Sequence, residues 1–207
     1  MKKRNVIRFI LAVVTLAVLA LGWKYQILGW IVPAAMLAGI AGVLIFGSRL
    51  VCGHVCPRGA FLDVFVSKIS PKKSAPGFMH GLPFKLAVLI GFAAFFTFSV
   101  YKLAGWAGLP FLFWRMCFFT TLIGLVLAFF INERAWCMIC PIGTIEGLLR
   151  RKNSMLCVSD NCVNCGKCDK VCPTIIKPSS FKGGNIDHLN CIMCGECKRV
   201  CPVKAIK

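Results

Sequence analysis

Hydrophobic residues are concentrated in four long runs that are separated by polar segments. None of the runs contains Asp or Glu, and they cover roughly residues 6–22, 27–47, 85–104 and 111–131. Each is close to the ~20 residues that an α-helix needs to cross the hydrocarbon layer of a bilayer. The pattern therefore predicts four transmembrane helices. The first run follows a basic start, as a signal peptide does, but we expect a retained helix.

Basic residues are distributed unevenly between the segments that flank these runs. The N-terminus and the segment between the second and third runs are rich in Lys and Arg, whereas the other two connections carry Lys24 and Lys102. Segments rich in Lys and Arg stay on the cytoplasmic side of a membrane. We therefore expect a multi-pass protein of the cytoplasmic membrane, with both termini cytoplasmic. The basic residues behind this orientation are Lys2, Lys3, Arg4, Arg8, Arg49, Arg58, Lys68, Lys72, Lys73 and Lys85.

The hydrophobic part of the chain contains an internal repeat. The sequence CPRGA at 56–60 recurs as CPIGT at 140–144, and the same shift carries the run near 27 onto the run near 111. We therefore predict a membrane domain, residues 1–154, built from two parallel helix hairpins that each end in a Cys–Pro turn. Their axis would lie along the membrane normal. A short amphipathic helix that lies at the interface, along the cytoplasmic surface, is expected after each turn.

A second repeat fills the C-terminal part, where CVNCGKCDKVCP at 162–173 recurs as CIMCGECKRVCP at 191–202. The doubled spacing C-x2-C-x2-C-x3-C-P resembles that of bacterial two-cluster ferredoxins over residues 155–207. A segment this short builds only a weak hydrophobic core, so bound clusters would replace it. We predict an α+β ferredoxin domain with two 4Fe–4S clusters. Structural zinc is disfavoured, because it prefers paired C-x2-C sites.

In two-cluster ferredoxins, the fourth cysteine of each motif ligates the other cluster. The resemblance therefore implies two crossed ligand sets. One set is Cys162, Cys165, Cys168 and Cys201. The other set is Cys191, Cys194, Cys197 and Cys172. Two further cysteines are not expected to be ligands: Cys157 is predicted to lie in a strand, and Cys117 to be a small buried hydrophobic residue.

Four cysteines at the ends of the two hairpins indicate a third metal site. The repeat axis would bring together Cys52, Cys56, Cys137 and Cys140. In a reducing cytoplasm, such a quartet favours metal binding over disulfides. We predict a third 4Fe–4S cluster, with a 2Fe–2S centre, zinc or plain thiols as alternatives. The second motif is one residue shorter than the first, so Trp136 and not Cys137 stands at the strict equivalent of Cys52.

The strong positive charge indicates which kinds of partner the protein would bind. The formal net charge is +18 before any thiolate is counted. Such a protein suits an anionic membrane surface and an acidic redox partner. An aromatic-rich basic groove is absent from the sequence, so a nucleic acid is not expected. The sequence also contains no phosphate-binding loop and no nucleophile–base pair.

Four membrane helices, Cys–Pro motifs after the second and fourth, and a two-cluster ferredoxin tail together resemble the NapH-type membrane ferredoxins. Related modules occur in NosR-like proteins. The resemblance covers essentially the whole chain, although CMICP is one residue shorter than the family's C-x3-C-P. It implies an electron-transfer subunit that exchanges electrons with quinol and works with other redox subunits, which are iron–sulfur, haem or ferredoxin-type proteins.

Two histidines are candidates for a quinone site or a proton relay. His54 lies between Cys52 and Cys56, and His80 precedes the third run. A titratable group at that depth suits quinol oxidation, which releases protons. Asp63 and Glu146 are weaker relay candidates. The sequence leaves two other functions open: a factor that supplies electrons to mature a partner's metal centre, and an iron–sulfur redox sensor.

Overall fold

The computed structural model describes residues 2–71, 73, 75–103, 105–151 and 155–207, without the side chains of residues 2–5. Two predictions from the sequence fall beyond these ranges. Lys72, one of the basic residues used for the orientation, lies outside the described residues. The predicted domain boundary after residue 154 also falls in a segment that is not described.

Long helices form where the hydrophobic runs predicted them. Helix α1 covers Lys2–Leu21, and helix α2 covers Ile31–Phe46 after a 3₁₀ turn at Gln26–Trp30. Further along the chain, α5 covers Leu82–Tyr101 and α6 covers Leu109–Phe130. A proline stands in the first turn of both α5 and α6, where its missing N–H costs no helical hydrogen bond.

Among the described residues, three helical segments are long and apolar enough to cross a membrane: Gln26–Phe46, Leu82–Tyr101 and Trp106–Phe130. Large apolar side chains such as Ile45, Ile90 and Phe130 are mostly exposed, as lipid contact requires. The described apolar part of α1, Val6–Leu21, is shorter. It falls below the ~20 residues of a full span, so the fourth transmembrane helix stays a prediction.

Short helices follow α2 and α6 in the same order. After α2 come α3 at Leu50–His54 and α4 at Pro57–Phe61, the latter continued by a π-helical turn. After α6 come α7 at Ala135–Ile139 and α8 at Pro141–Leu149. Each Cys–Pro pair separates the two short helices, because a residue before proline is disfavoured in the helical region. Cys56 and Cys140 accordingly have ψ of 115° and 128°.

The helix that follows the first Cys–Pro turn is buried by its neighbours. Phe61, Leu62 and Val66 form a hydrophobic cluster with Ala12 of α1 and Ala128 of α6. The expectation of a helix after each Cys–Pro turn is therefore confirmed. The apolar face of the first one, however, packs against α1 and α6.

The C-terminal part is a small α+β unit. Strand β1, Cys157–Val158, pairs antiparallel with β2, Gly184–Asn185, and the short helices α9 and α10 cover Lys167–Lys170 and Glu196–Val200. Cys157 thus lies in a strand, as predicted. The buried core contains four aliphatic residues and two cysteines, and four more ferredoxin-motif cysteines pack against it. These residues are Val158, Ile176, Ile186, Ile206, Cys168 and Cys197 in the core, and Cys162, Cys172, Cys191 and Cys201 against it.

The 29-residue repeat of this unit extends to its backbone. Residues with positive φ recur in pairs at that spacing, and the pairs are Asn164 and Met193, Gly166 and Gly195, and Ile175 and Lys204. Positive φ is uncommon for residues other than glycine and is unusual for a β-branched residue such as Ile175. The two motifs therefore fold in the same way, including at strained positions.

The C-terminal unit is docked on the helical part through residues 187–192. The Lys85 ammonium, which is buried at the start of α5, donates a hydrogen bond to the Asn190 amide oxygen. The Asn190 side-chain nitrogen lies 3.0 Å from His80 Nδ1. Arg49 Nη1 donates to the Leu189 carbonyl at 2.7 Å. Because these contacts are polar and mostly buried, they fix the position of the segment that leads into Cys191.

His188 completes this interface as a neutral ring. Its Nδ1 accepts a hydrogen bond of 3.1 Å from the Asn190 backbone N–H. Burial, together with the nearby His80 and Lys85, lowers the pKa of His188 to about 4. At neutral pH the imidazole is therefore uncharged, and Nδ1 is free to accept this bond.

We predict that Asn190→Leu destabilises the protein by about 1–3 kcal/mol or more, because the buried Lys85 ammonium loses its acceptor. The measurement is thermal unfolding in detergent. Replacing both partners by apolar groups is nearly neutral, so the double variant Lys85→Met/Asn190→Leu should recover most of the lost stability. Equal stability of the single and double variants would contradict this account of the interface.

Candidate metal centres

Four cysteines from the two Cys–Pro motifs are brought together between the short helices. We call Cys52, Cys56, Cys137 and Cys140 the Cys–Pro site. Cys52 lies in α3 and Cys137 in α7, whereas Cys56 and Cys140 immediately precede α4 and α8. All four are partly buried. Cys56 interacts electrostatically with Cys137. Arg49 interacts electrostatically with Cys52, Cys137 and Cys140.

The one-residue difference between the two motifs falls after the first cysteine. Arg49 precedes Cys52 by three positions, and Arg134 precedes Cys137 by three positions. Counted from the preceding arginine, Cys137 is the counterpart of Cys52. Trp136 is therefore not the counterpart, although a constant shift of 84 residues would make it so.

Val55 is the extra residue in the first motif. The amides of both Val55 and Cys56 donate to the Val51 carbonyl, at 2.8 and 2.9 Å. In the second motif, the Cys140 amide donates to the Trp136 carbonyl at 2.9 Å. The inserted residue is thus accommodated by one wider turn of backbone. Val55 is 49% exposed, so its side chain stays out of the site.

Three arginines surround the Cys–Pro site, and sequence reasoning missed their role. Arg134 Nη1 lies 3.7 Å from Cys137 Sγ, and Arg58 Nη2 lies 3.7 Å from Cys140 Sγ. Arg49 and Arg134 are each only 2% exposed. The sequence interpretation counted Arg49 and Arg58 as loop charges and did not consider Arg134. Their fixed spacing from the cysteines was the signal that could have identified them.

Each half of the repeat supplies an arginine that pairs with an acid of the other half. Arg49 Nε lies 3.6 Å from a Glu146 carboxylate oxygen. Arg134 binds Asp63 through Nε at 2.7 Å and Nη2 at 2.6 Å. The two acids that the sequence suggested as proton relays are thus partners of buried guanidinium groups.

The same two arginines also contact the backbone of the opposite motif. Arg134 Nη1 donates to the Cys52 carbonyl at 3.3 Å, and Arg49 Nη2 reaches the Cys137 carbonyl at 3.5 Å. A glycine makes room for each guanidinium, since a Cβ at Gly59 would lie 2.3 Å from Arg134. A Cβ at Gly143 would lie 2.4 Å from Arg49. The contacts therefore recur in pairs across the two halves.

Burial and charge act in opposite directions on the thiols of the site. Burial raises the pKa of Cys52 and of Cys56, while Arg49 opposes this for Cys52, and Arg58 and Arg134 oppose it for Cys56. Burial alone would lower the pKa of Arg134, but Cys137 and Asp63 raise it well above its usual value. Arg134 therefore remains charged, and an anionic metal–sulfur centre held by these cysteines would have buried cations beside it.

Cysteines from both ferredoxin motifs meet in a second group. Cys172, Cys191, Cys194 and Cys197 line one cavity, and we call them the proximal ferredoxin site. The Met193 and Glu196 amides donate hydrogen bonds to the sulfurs of Cys191 and Cys194. The structure thus brings Cys172 of the first motif to the triplet of the second, as the ferredoxin resemblance implies.

The remaining ferredoxin cysteines are Cys162, Cys165, Cys168 and Cys201, and we call them the distal ferredoxin site. Cys168 is buried and Cys165 is exposed. The Ala205 amide donates to Cys201 Sγ at 3.3 Å. Burial, together with the neighbouring Asp169, raises the pKa of Cys168 to about 11. Among the described residues, no three His, Cys, Asp or Glu side chains are grouped closely enough to hold a single metal ion.

The two candidate histidines occupy different environments. His54 Nδ1 lies 3.1 Å from the Leu50 carbonyl of its own helix. His80 lies in the docking interface, where it contacts Asn190 and its ring centroid is 5.7 Å from that of His188. Burial lowers the pKa of His80, and Lys85 lowers it further. His80 thus lies between the helical part and the segment that leads to the proximal ferredoxin site.

Gly53 places the Cys–Pro site directly against the proximal ferredoxin site. A Cβ at this position would lie 2.2 Å from the Ile192 carbonyl oxygen and 3.4 Å from the Cys194 backbone nitrogen. Gly53 follows Cys52, and Ile192 follows Cys191. The backbones that carry ligand candidates of the two sites are therefore in van der Waals contact.

Two family models match the chain, and they cover both groups of sites. Residues 28–76 and 112–156 each match a model described as a 4Fe-4S binding domain. Residues 161–206 match a model described as a 4Fe-4S dicluster domain. The chain carries 4Fe–4S domains of the ferredoxin type. No curated protein and no solved structure matches it, so the NapH-type likeness stays a hypothesis. The two matches to the first model begin at residues 28 and 112, and the distance between these positions equals the distance between the CPRGA and CPIGT motifs.

We predict that Gly53→Ala forces residues 191–194 away from α3, because the new methyl group overlaps the Ile192 carbonyl. Hydrogen exchange should become faster at the amides of residues 190–194 in the detergent-solubilised protein. Gly77→Ala is the matched control, since a Cβ there meets no described atom within 4 Å. Unchanged exchange in Gly53→Ala would contradict the close contact between the two sites.

Proposed function

We propose that this protein is a membrane-bound electron-transfer subunit that relays electrons between the quinone/quinol pool and partner redox subunits. The observation that carries the proposal is the contact at Gly53, because it joins the Cys–Pro site to the proximal ferredoxin site. Electron transfer needs closely spaced centres, and a contact between backbones that carry ligands provides that spacing. The 4Fe–4S domains of the chain support the same class of function.

Twelve cysteines would hold three 4Fe–4S clusters, one at each of the three sites. When bound, the clusters supply one-electron redox chemistry. The protein supplies the thiolates, the backbone N–H groups that donate to sulfur and the buried arginines. The crossed contacts of Arg49 and Arg134 support two parallel hairpin repeats as the frame of the Cys–Pro site. The division into a membrane domain, 1–154, and a ferredoxin domain, 155–207, is part of this proposal.

In this proposal α1 is the fourth transmembrane helix, and the ferredoxin domain faces the cytoplasm. Two contacts support a fixed position for α1. Arg8 Nη2 donates to the Gly53 carbonyl at 3.1 Å, and Arg8 also lies 3.4 Å from Asp63. The end of α1 that carries Arg8 thus lies beside the Cys–Pro site. The basic charge of the protein would favour the docking of acidic redox subunits.

His80 is the better of the two candidate histidines for the quinol end of the relay. It lies just before α5 and contacts the segment that leads into Cys191. A neutral imidazole there would accept a proton when a quinol is oxidised. His54 is bound to its own helix carbonyl, which leaves it a weaker candidate.

We predict about twelve irons, with matching acid-labile sulfide and no zinc, per chain of anaerobically purified protein. The double variant Cys52→Ser/Cys56→Ser should contain about eight irons, because it loses two ligands of the Cys–Pro site and keeps the ferredoxin clusters.

Cys157→Ser is the matched control for this measurement, since Cys157 lies in β1 and is exposed. Its iron content should equal that of the wild type. About eight irons in the wild type would contradict a cluster at the Cys–Pro site, and zinc at that site would replace the relay with a structural role.

We predict that a reduced quinol analogue bleaches the iron–sulfur absorbance of the protein in anaerobic liposomes. His80→Gln keeps an amide that can bind Asn190 but cannot take up a proton, so it should slow this reaction. Reduction by dithionite should stay unchanged, and His54→Gln serves as the matched variant. Absence of quinol-dependent reduction in the wild type would refute the quinone connection.

A further inference from the structure

Arg58 differs from the other two arginines of the Cys–Pro site because no salt bridge among the described residues neutralises its charge. Its guanidinium donates to Thr120 Oγ1 at 2.7 Å and reaches Cys140 Sγ at 3.7 Å. It also lies 5.1 Å from the centre of the Trp136 ring. Its positive charge is therefore directed at the sulfurs with no carboxylate to offset it.

The repeat indicates that this charge is not needed to build the turn. Arg58 follows Pro57 in the first motif, and Ile142 follows Pro141 in the second. Both motifs nevertheless form the same helix–Cys–Pro–helix arrangement. The arginine is thus an addition to one half of the site, and an apolar residue at the equivalent place supports the same fold.

The ferredoxin sites have carboxylates beside their thiols. Cys168 Sγ lies 3.6 Å from Asp169 Oδ1 at the distal site. At the proximal site, Glu196 interacts electrostatically with Cys194. A negative charge near a cluster disfavours the added electron, whereas a positive charge favours it. The Cys–Pro site also has a carboxylate, Glu146, beside Cys52, but this acid is paired with Arg49. The site differs from the ferredoxin sites in the added positive charge of Arg58, which has no salt-bridge partner among the described residues.

We propose that Arg58 makes the Cys–Pro centre the most easily reduced of the three centres, so that an electron on the ferredoxin domain comes to rest there. This inference rests on the proposed function. With clusters held by these cysteines, one electron would leave a ferredoxin cluster, which would be oxidised, and the Cys–Pro centre would be reduced. No bond or proton moves, so the centre gains one negative charge, which the uncompensated guanidinium stabilises. The chain thus directs electrons from the ferredoxin domain toward its helical part.

The test is a redox titration of the full-length protein, followed by electron paramagnetic resonance. The signal that disappears in Cys52→Ser/Cys56→Ser identifies the Cys–Pro centre, and it should have the highest midpoint potential in the wild type. In Arg58→Gln, the oxidised-to-reduced ratio of this centre should rise about tenfold at the wild-type midpoint. That change is a shift of about 59 mV for one electron. The ferredoxin signals should stay in place.

Arg58→Lys is the control that separates charge from structure. It keeps the positive charge, so the oxidised-to-reduced ratio should change by less than half as much on a logarithmic scale. Equal shifts in Arg58→Gln and Arg58→Lys would overturn the proposal, as would no shift in either.

The wild-type order of potentials tests the proposal even if Arg58→Gln loses iron. About twelve irons with a ferredoxin cluster at the highest potential would overturn this inference and leave the relay intact. About eight irons in the wild type would instead overturn the proposed function itself.

Discussion

Charge burial at the Cys–Pro site is the constraint on which the other contacts depend. Four thiols lie between short helices, and two of the surrounding arginines are almost completely buried. A buried guanidinium is tolerated only when acids, carbonyls or anions occupy its donors. Here the acid that pairs with each of these two arginines comes from the opposite half of the repeat. Neither half could bury its own arginine without the other, and breaking such a pair costs about 3–5 kcal/mol.

Arg49 extends this constraint to the ferredoxin part. Its side chain lies beside Glu146 and the Cys137 carbonyl, and it also donates to the Leu189 carbonyl. One buried cation thus joins both halves of the helical part to the segment that enters Cys191. Together with the Lys85–Asn190 hydrogen bond, it holds the proximal ferredoxin site against Gly53. The spacing between the two sites follows from the same charges that surround the thiols.

The sequence predicted the features that depend on local pattern. Long apolar runs located α5 and α6 to within a few residues, because the length and continuity of such runs are strong constraints in lipid. The repeated cysteine spacing predicted two similar motifs, and their backbones repeat even at Ile175 and Lys204. The partners of Arg134 and Lys85 were not predicted. These contacts join residues 71 and 105 positions apart, and no local periodicity reports them.

The departures from symmetry in the Cys–Pro site carry the most information about function. A site formed between two copies of one unit has two equivalent halves. Equivalent halves place the same charges on both sides of the site, so neither side differs electrostatically from the other. The paired contacts of Arg49 and Arg134 preserve this equivalence. Two of the differences that break it are Val55, which widens one turn, and Arg58, which stands where the other motif has Ile142. Val55 points outward, so it changes the backbone more than the charge. Arg58 faces a sulfur, so it is the difference through which one half can acquire a distinct electrostatic role.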